Sequence, residues 1–127
     1  MKIISTTIFS VIIYLSFSGC EKNGPLVGEP DRIPPELSLV GFIDSTIQLV
    51  HGTVTITAEA YDSIGINKID FYIDNALMFM DTSEPYVYEW DTGEHSNCEM
   101  HTIKVIAHDN NSNFSEIEQR VFVENPN

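Results

Sequence analysis

From residue 36 onward, apolar and polar residues alternate with a period of two. Val54, Ile56, Ala58 and Ala60 point one way, and Thr53, Thr55, Thr57 and Glu59 the other. Ile69, Phe71 and Ile73 alternate with Lys68, Asp70 and Tyr72. Tyr86, Tyr88 and Trp90 alternate with Val87 and Glu89, and Ile103, Val105 and Ala107 with Thr102, Lys104 and Ile106. Val121 and Val123 close the series beside Arg120 and Phe122. This is the pattern of strands with one buried face, and no stretch shows the 3.6-residue period of an amphipathic helix. Turn-forming residues separate the runs: Asp62 to Gly65, Asp74-Asn75, Ser83 to Pro85, Thr92-Gly93 and Asp109 to Asn113. With 36–40 placed first and 76–80 after Asn75, the chain predicts about seven short strands. The expected fold is all-β, an antiparallel β-sandwich with Phe71, Tyr88 and Trp90 supplying bulk between two sheets.

The beginning of the chain follows another rule. Lys2 precedes an uncharged, apolar stretch at 3–17. That length suits the apolar part of an export signal, whereas a membrane-spanning helix needs about 20 residues. Leu15, Ser16, Phe17, Ser18, Gly19 and Cys20 together resemble a bacterial lipobox. The resemblance implies cleavage before Cys20 and lipidation of that cysteine, palmitate being among the expected acyl chains. Residues 1–19 are then a lipoprotein signal peptide. Residues 20–33 hold the lipidated Cys20 and a flexible linker, in which Gly24, Pro25, Gly28 and Pro30 interrupt any periodic structure. Residues 34–124 form the folded domain.

Composition narrows the partners. The 127 residues carry 6 Lys and Arg against 19 Asp and Glu, a net charge of −13. Such a surface repels phosphate backbones, so no nucleic-acid partner is expected. Anionic headgroups repel it too, which leaves the acyl chains on Cys20 as the means of attachment to a membrane. The 2 cysteines exclude a disulfide scaffold. With Cys20 lipidated, Cys98 lacks a partner within the chain, whether it stays free or bonds another chain, and it is expected to pack as a small, at least half-buried apolar residue.

Pro34-Pro35, the run Gly52 to Ala58, and Asp62 with Gly65-Ile66 resemble the bacterial immunoglobulin-like domains. So do the run Ile69 to Asn75, Pro85-Tyr86, Trp90 to Thr92, His101 to Ile103, and Ala107 to Asp109 before an Asn-rich turn. The resemblance spans residues 34–124. It implies an immunoglobulin-like sandwich of the kind that serves as a spacer or ligand-binding module in secreted and surface proteins. In this pattern Asn75 replaces a usual Gly, Phe79 stands at a usually small position, and Cys98 occupies a loop that usually lacks cysteine.

Candidate chemistry is sparse. His95, Cys98 and His101 form a spaced set of metal-ligand types, although His101 also falls where the family resemblance places a strand-opening His. Asp109 to Asn113 opens like an EF-hand loop, but Phe114 stands where a Gly is needed and Arg120 where a Glu is needed. Asp62 and Asp109 would share one end of the sandwich, which leaves a loose calcium site there open. No G-x-S-x-G or phosphate-cradling loop is present, and no cofactor and no enzymatic activity are expected. Tyr72, Ile106 and one of the pairs Met78/Met80 or Leu77/Phe79 are expected to share one outer sheet face, and Tyr72, Met78, Met80 and Ile106 are candidates for an outward binding surface.

Together these readings predict a non-enzymatic lipoprotein of the bacterial cell envelope, at the outer membrane or cell surface. Its one domain would bind or assemble an envelope protein or polysaccharide. The alternative is a purely structural spacer or accessory subunit, and a metal-binding protein is a third reading. The chain is expected to enter its first strand at the Asp62 and Asp109 end, with the His95–Cys98 loop pointing away.

Overall fold

The computed structural model describes residues 29–127. The expected signal peptide at 1–19, Cys20 and most of the expected linker at 20–33 lie outside the described residues. Residues 32–127 form one compact unit. It contains β1 (Glu36–Leu39), β2 (Gln48–Val50), β3 (Thr53–Tyr61), β4 (Ile66–Ile73), β5 (Ala76–Asp81), β6 (Tyr86–Asp91), β7 (Glu99–Asp109) and β8 (Phe114–Val123). A single 3-10 turn, Thr92–Glu94, follows β6, and Asp91 caps it by accepting from the Gly93 N–H.

The strands build two sheets. One has the order β1-β3-β6 and the other β2-β8-β7-β4-β5. All pairings are antiparallel except β2 with β8. The alternation of the sequence explains the layering. Ile56 and Ala58 from the first sheet and Ile69, Phe71, Ile73, Ile103, Val105, Ala107, Val121 and Val123 from the second turn inward. Trp90 is 0% exposed and fills the space between the sheets. Burying one aromatic or branched aliphatic side chain contributes roughly 1.5–3 kcal/mol, so these positions supply most of the drive to fold.

The fold extends the expected strand set by one. The addition is β2, three residues long and paired in parallel, which carries the chain from the first sheet to the edge of the second. The β8 strand also starts earlier than Arg120, at Phe114. The β4–β5 hairpin turns through Asp74 (φ 49°) and Asn75 (φ 69°). Two successive positive φ values define the tight turn that suits strand twist, and Asn tolerates that region without glycine. Gly65 has φ +99°, and a Cβ there would lie 3.0 Å from the Asn110 side chain, so this turn does need glycine.

The chain enters β1 beside the Asp62–Gly65 and Asn110–Asn113 loops, since Glu36 pairs with Tyr61 and Ile66 with Asp109. It leaves β8 at the other end, where Asn125 N–H donates to the Asn97 side chain.

Candidate functional site

Three places hold the residues that the sequence singled out. The first is the loop between β6 and β7. Here the indole N–H of Trp90 donates to His95 Nδ1 at 3.2 Å. The His95 and His101 rings meet edge to face, 5.6 Å between centroids, and both contact the Trp90 ring. His101 Nδ1 donates to Asp74 Oδ2 at 2.5 Å, and its Nε2 donates to the Ser96 carbonyl at 2.8 Å. Both partners are acceptors, so the doubly protonated imidazolium satisfies both bonds. Burial pulls the His101 pKa down. The bonds to Asp74 and Ser96, with the charges of Asp74 and Glu99, outweigh it and hold the group above its ordinary value. Burial opposes ionisation of Asp74 in turn. The His101 bond, the Thr102 N–H and the charges of His101 and His95 nevertheless hold its carboxyl below the usual range.

Cys98 stands apart from this cluster. It is exposed, at φ 58°, with its N–H donating to the Val123 carbonyl. The expected packing role is corrected here: Cys98 precedes β7 and lies outside the alternation, so nothing turns its side chain inward. The donor atoms of His95, Cys98 and His101 do not all come within 4.8 Å of one another. The pair of histidines is bound up in structural bonds that lock the loop to the β4–β5 turn.

The second place is the opposite end. Asp109 Oδ1 accepts from the N–H groups of Asn111 and Asn113, and its Oδ2 accepts from the Asn113 amide. Burial raises its pKa, but these bonds and the His108 charge outweigh it and leave the carboxyl below its usual value. Asp62 Oδ1 accepts from the Ile64 N–H. Both aspartates thus close turns.

The third place is the outer face of the five-stranded sheet. Asp70 of β4 lies opposite Met80 of β5 and Ile106 of β7, and Tyr72 lies opposite Leu77. Tyr72, Met80 and Ile106 therefore share one face as expected, but Met78 does not. A β-bulge at Phe71/Tyr72 inserts one extra residue into β5, which turns Met78 toward the core and Leu77 outward. Phe79 also turns inward and stacks on Tyr88, 5.9 Å between centroids, where the two sheets meet.

In the middle of this face lies a residue that the alternation had placed in solvent. Asp70 is 4% exposed. Its Oδ2 takes Lys68 Nζ at 3.2 Å and His108 Nε2 at 3.0 Å, while its Oδ1 is buried without a partner among the described residues. Lys68 and Asp70 are two apart on one strand, and His108 lies opposite Lys68 on β7. That spacing was the signal in the sequence, although period-two reasoning alone assigns all three to solvent.

A two-sheet sandwich whose chain switches sheets through β2, and whose marked residues sit on one outer face and in its loops, defines the class as an immunoglobulin-like domain. Residues 44–105 match the family described as the bacterial Ig domain. Fibronectin(III)-like modules of CbhA from Clostridium thermocellum are similar, with TM-score 0.59 and 28% identity over 73% of this chain and 48% of that one. The endo-beta-1,4-mannanase of Thermotoga petrophila shares the fold, with TM-score 0.57 and 13% identity over 76% of this chain and 21% of that one. The chain thus spans about half of the first chain and about a fifth of the second. No curated protein matches it.

Proposed function

We propose that this chain is a non-enzymatic lipoprotein of the bacterial cell envelope, anchored through Cys20, whose one immunoglobulin-like domain is a binding or assembly module for an envelope protein or polysaccharide. The observation that carries the reading is the outer face around Asp70. A buried carboxylate oxygen without a donor is costly, and native structures rarely leave one. Met80 and Ile106 flank it across the sheet, Tyr72 lies along the strand, and Leu77 and Met80 are 53% and 49% exposed. Apolar residues around a desolvated polar group are the anatomy of an interface hot spot. A partner that covers the apolar rim would exclude water from the Lys68–Asp70–His108 cluster and so strengthen its charged bonds.

The test is capture from detergent-solubilised envelope with the wild-type chain and with Met80→Lys. A stoichiometric species retained by the wild type and lost with Met80→Lys supports the module. Elution of that species by a polysaccharide would identify glycan as ligand. Equal capture by both chains would contradict the use of this face.

A structural spacer is the second reading. One observation favours it: the polypeptide enters the sandwich at one end and leaves at the other, as a linear connector requires. In that case the Met80→Lys chain would behave as wild type in every capture.

A further inference from the structure

A polar cleft of about 340 Å³ opens beside the same sheet, between the β1–β2 loop, the β4–β5 turn and strands β7 and β8. Sites for small ligands begin at roughly this size, about 300 Å³. One wall is the loop Ser45 to Ile47, and two glutamines hold it. Gln48 accepts from the Ile43 N–H and donates to the Gly41 carbonyl. Gln119 donates through Nε2 to the Thr46 carbonyl at 2.5 Å and to the Arg120 carbonyl at 3.0 Å. Two carbonyl acceptors fix which end of the Gln119 amide is nitrogen. Its Oε1 is left without a donor among the described residues, although the side chain is 5% exposed and lines the cleft.

The other wall carries charge that the fold leaves open. Glu118 and Arg120 stand two apart on β8, so they face the same side about 6.7 Å apart along the strand. Neither forms an ion pair among the described residues. Lys104 lies opposite Glu118 but turns away, its Nζ donating to Asn75 Oδ1 at 3.3 Å and sitting 5.0 Å from the centre of the Tyr72 ring.

We propose that this cleft binds an uncharged glycan. An anion would meet Arg120 but also Glu118 and the field of a chain with net charge −13. A cation would meet Glu118 but also Arg120. A neutral chain of vicinal hydroxyls both donates and accepts, so it can bond Arg120, Glu118 and the open Gln119 oxygen together without leaving a charge unanswered. Ile47, 53% exposed, offers the apolar contact that a sugar ring's C–H face needs. The held loop lowers the ordering cost of binding. This inference rests on the reading of the domain as a binding module and adds a ligand class to it.

The experiment is calorimetric titration of the full chain, purified in detergent, with neutral β-1,4-linked gluco-, manno- and xylo-hexaoses and with the anionic hexamer of galacturonate. Saturable binding of at least one neutral oligomer is expected, with affinity reduced at least about tenfold by Arg120→Ala and by Glu118→Ala and unchanged by Glu59→Ala, an exposed position on the other sheet. Circular dichroism of each variant confirms folding, since both positions are exposed. Absence of binding by every neutral oligomer, binding of the galacturonate hexamer alone, or affinity indifferent to Arg120→Ala would overturn the proposal. Failure here with envelope capture still lost in Met80→Lys would remove the cleft and leave the module reading standing. Failure of both would remove the module itself.

Discussion

His101 shows how one buried polar residue sets a pH range for the whole domain. Its folded pKa is raised by Asp74 and Ser96 against the opposing effect of burial, so the stability it contributes is fully present below about pH 6.5, the unfolded value, and is lost as pH rises through the folded value. Asp74 is lowered, so its contribution is present above about pH 3.9 and is lost as pH falls through its folded value. The urea midpoint should therefore be highest in the mildly acidic range between the two folded pKa values and decline on the alkaline side. Asp74→Asn should flatten that alkaline decline. A midpoint that rises steadily with pH, or an Asp74→Asn profile parallel to wild type, would show that the pair does not act this way. Asp74 is partly exposed, and salt should narrow the difference between the two chains. Trp90 acts by volume instead. It is fully buried, and Trp90→Ala should cost about 3–5 kcal/mol, a large share of a small domain's roughly 5–15 kcal/mol. Urea denaturation measures this directly, and a loss under about 1 kcal/mol would mean that the core closes without it.

At the level of strands, the bulge in β5 divides two neighbouring methionines by face. Met80→Lys should change stability by no more than about 0.5 kcal/mol, since its side chain already faces solvent. Met78→Lys should cost about 1–3 kcal/mol, since it places a charge against the core. The reverse order in urea would mean that the register runs without the bulge. This pair also marks where the sequence stopped being readable. Ile56 and Ala58, Ile69 to Ile73, Ile103 to Ala107, and Val121 and Val123 announced their strands because strict alternation has a direct physical meaning. A bulge breaks that alternation without changing composition, so strict period two pairs Met78 with Met80 on one face, whereas the bulge puts Leu77 there instead. The β2 strand is three residues long and exposes Leu49, too short for any period to show. Asp70 reads as surface until Lys68 and His108 are seen to fold over it. The cleft joins residues from positions 45 to 120, and only the sheet order brings them together.

For the whole molecule, charge and attachment work in opposite directions. With 19 acids against 6 basic residues, the chain should be repelled by anionic surfaces and polyanions alike. An acylated Cys20 would then be the means of retention, each buried CH₂ adding about 0.8 kcal/mol of membrane affinity. Raising salt should therefore fail to release the chain from membranes, whereas detergent should release it. On the proposed reading, that location would bring envelope molecules within reach of the outer face and the polar cleft. Mass spectrometry of the chain purified from its native membrane tests the location most directly. The account predicts an N-terminal peptide that begins at Cys20 and carries the mass of a diacylglyceryl group. An unmodified thiol at Cys20, on a chain recovered from the aqueous extract, would contradict it.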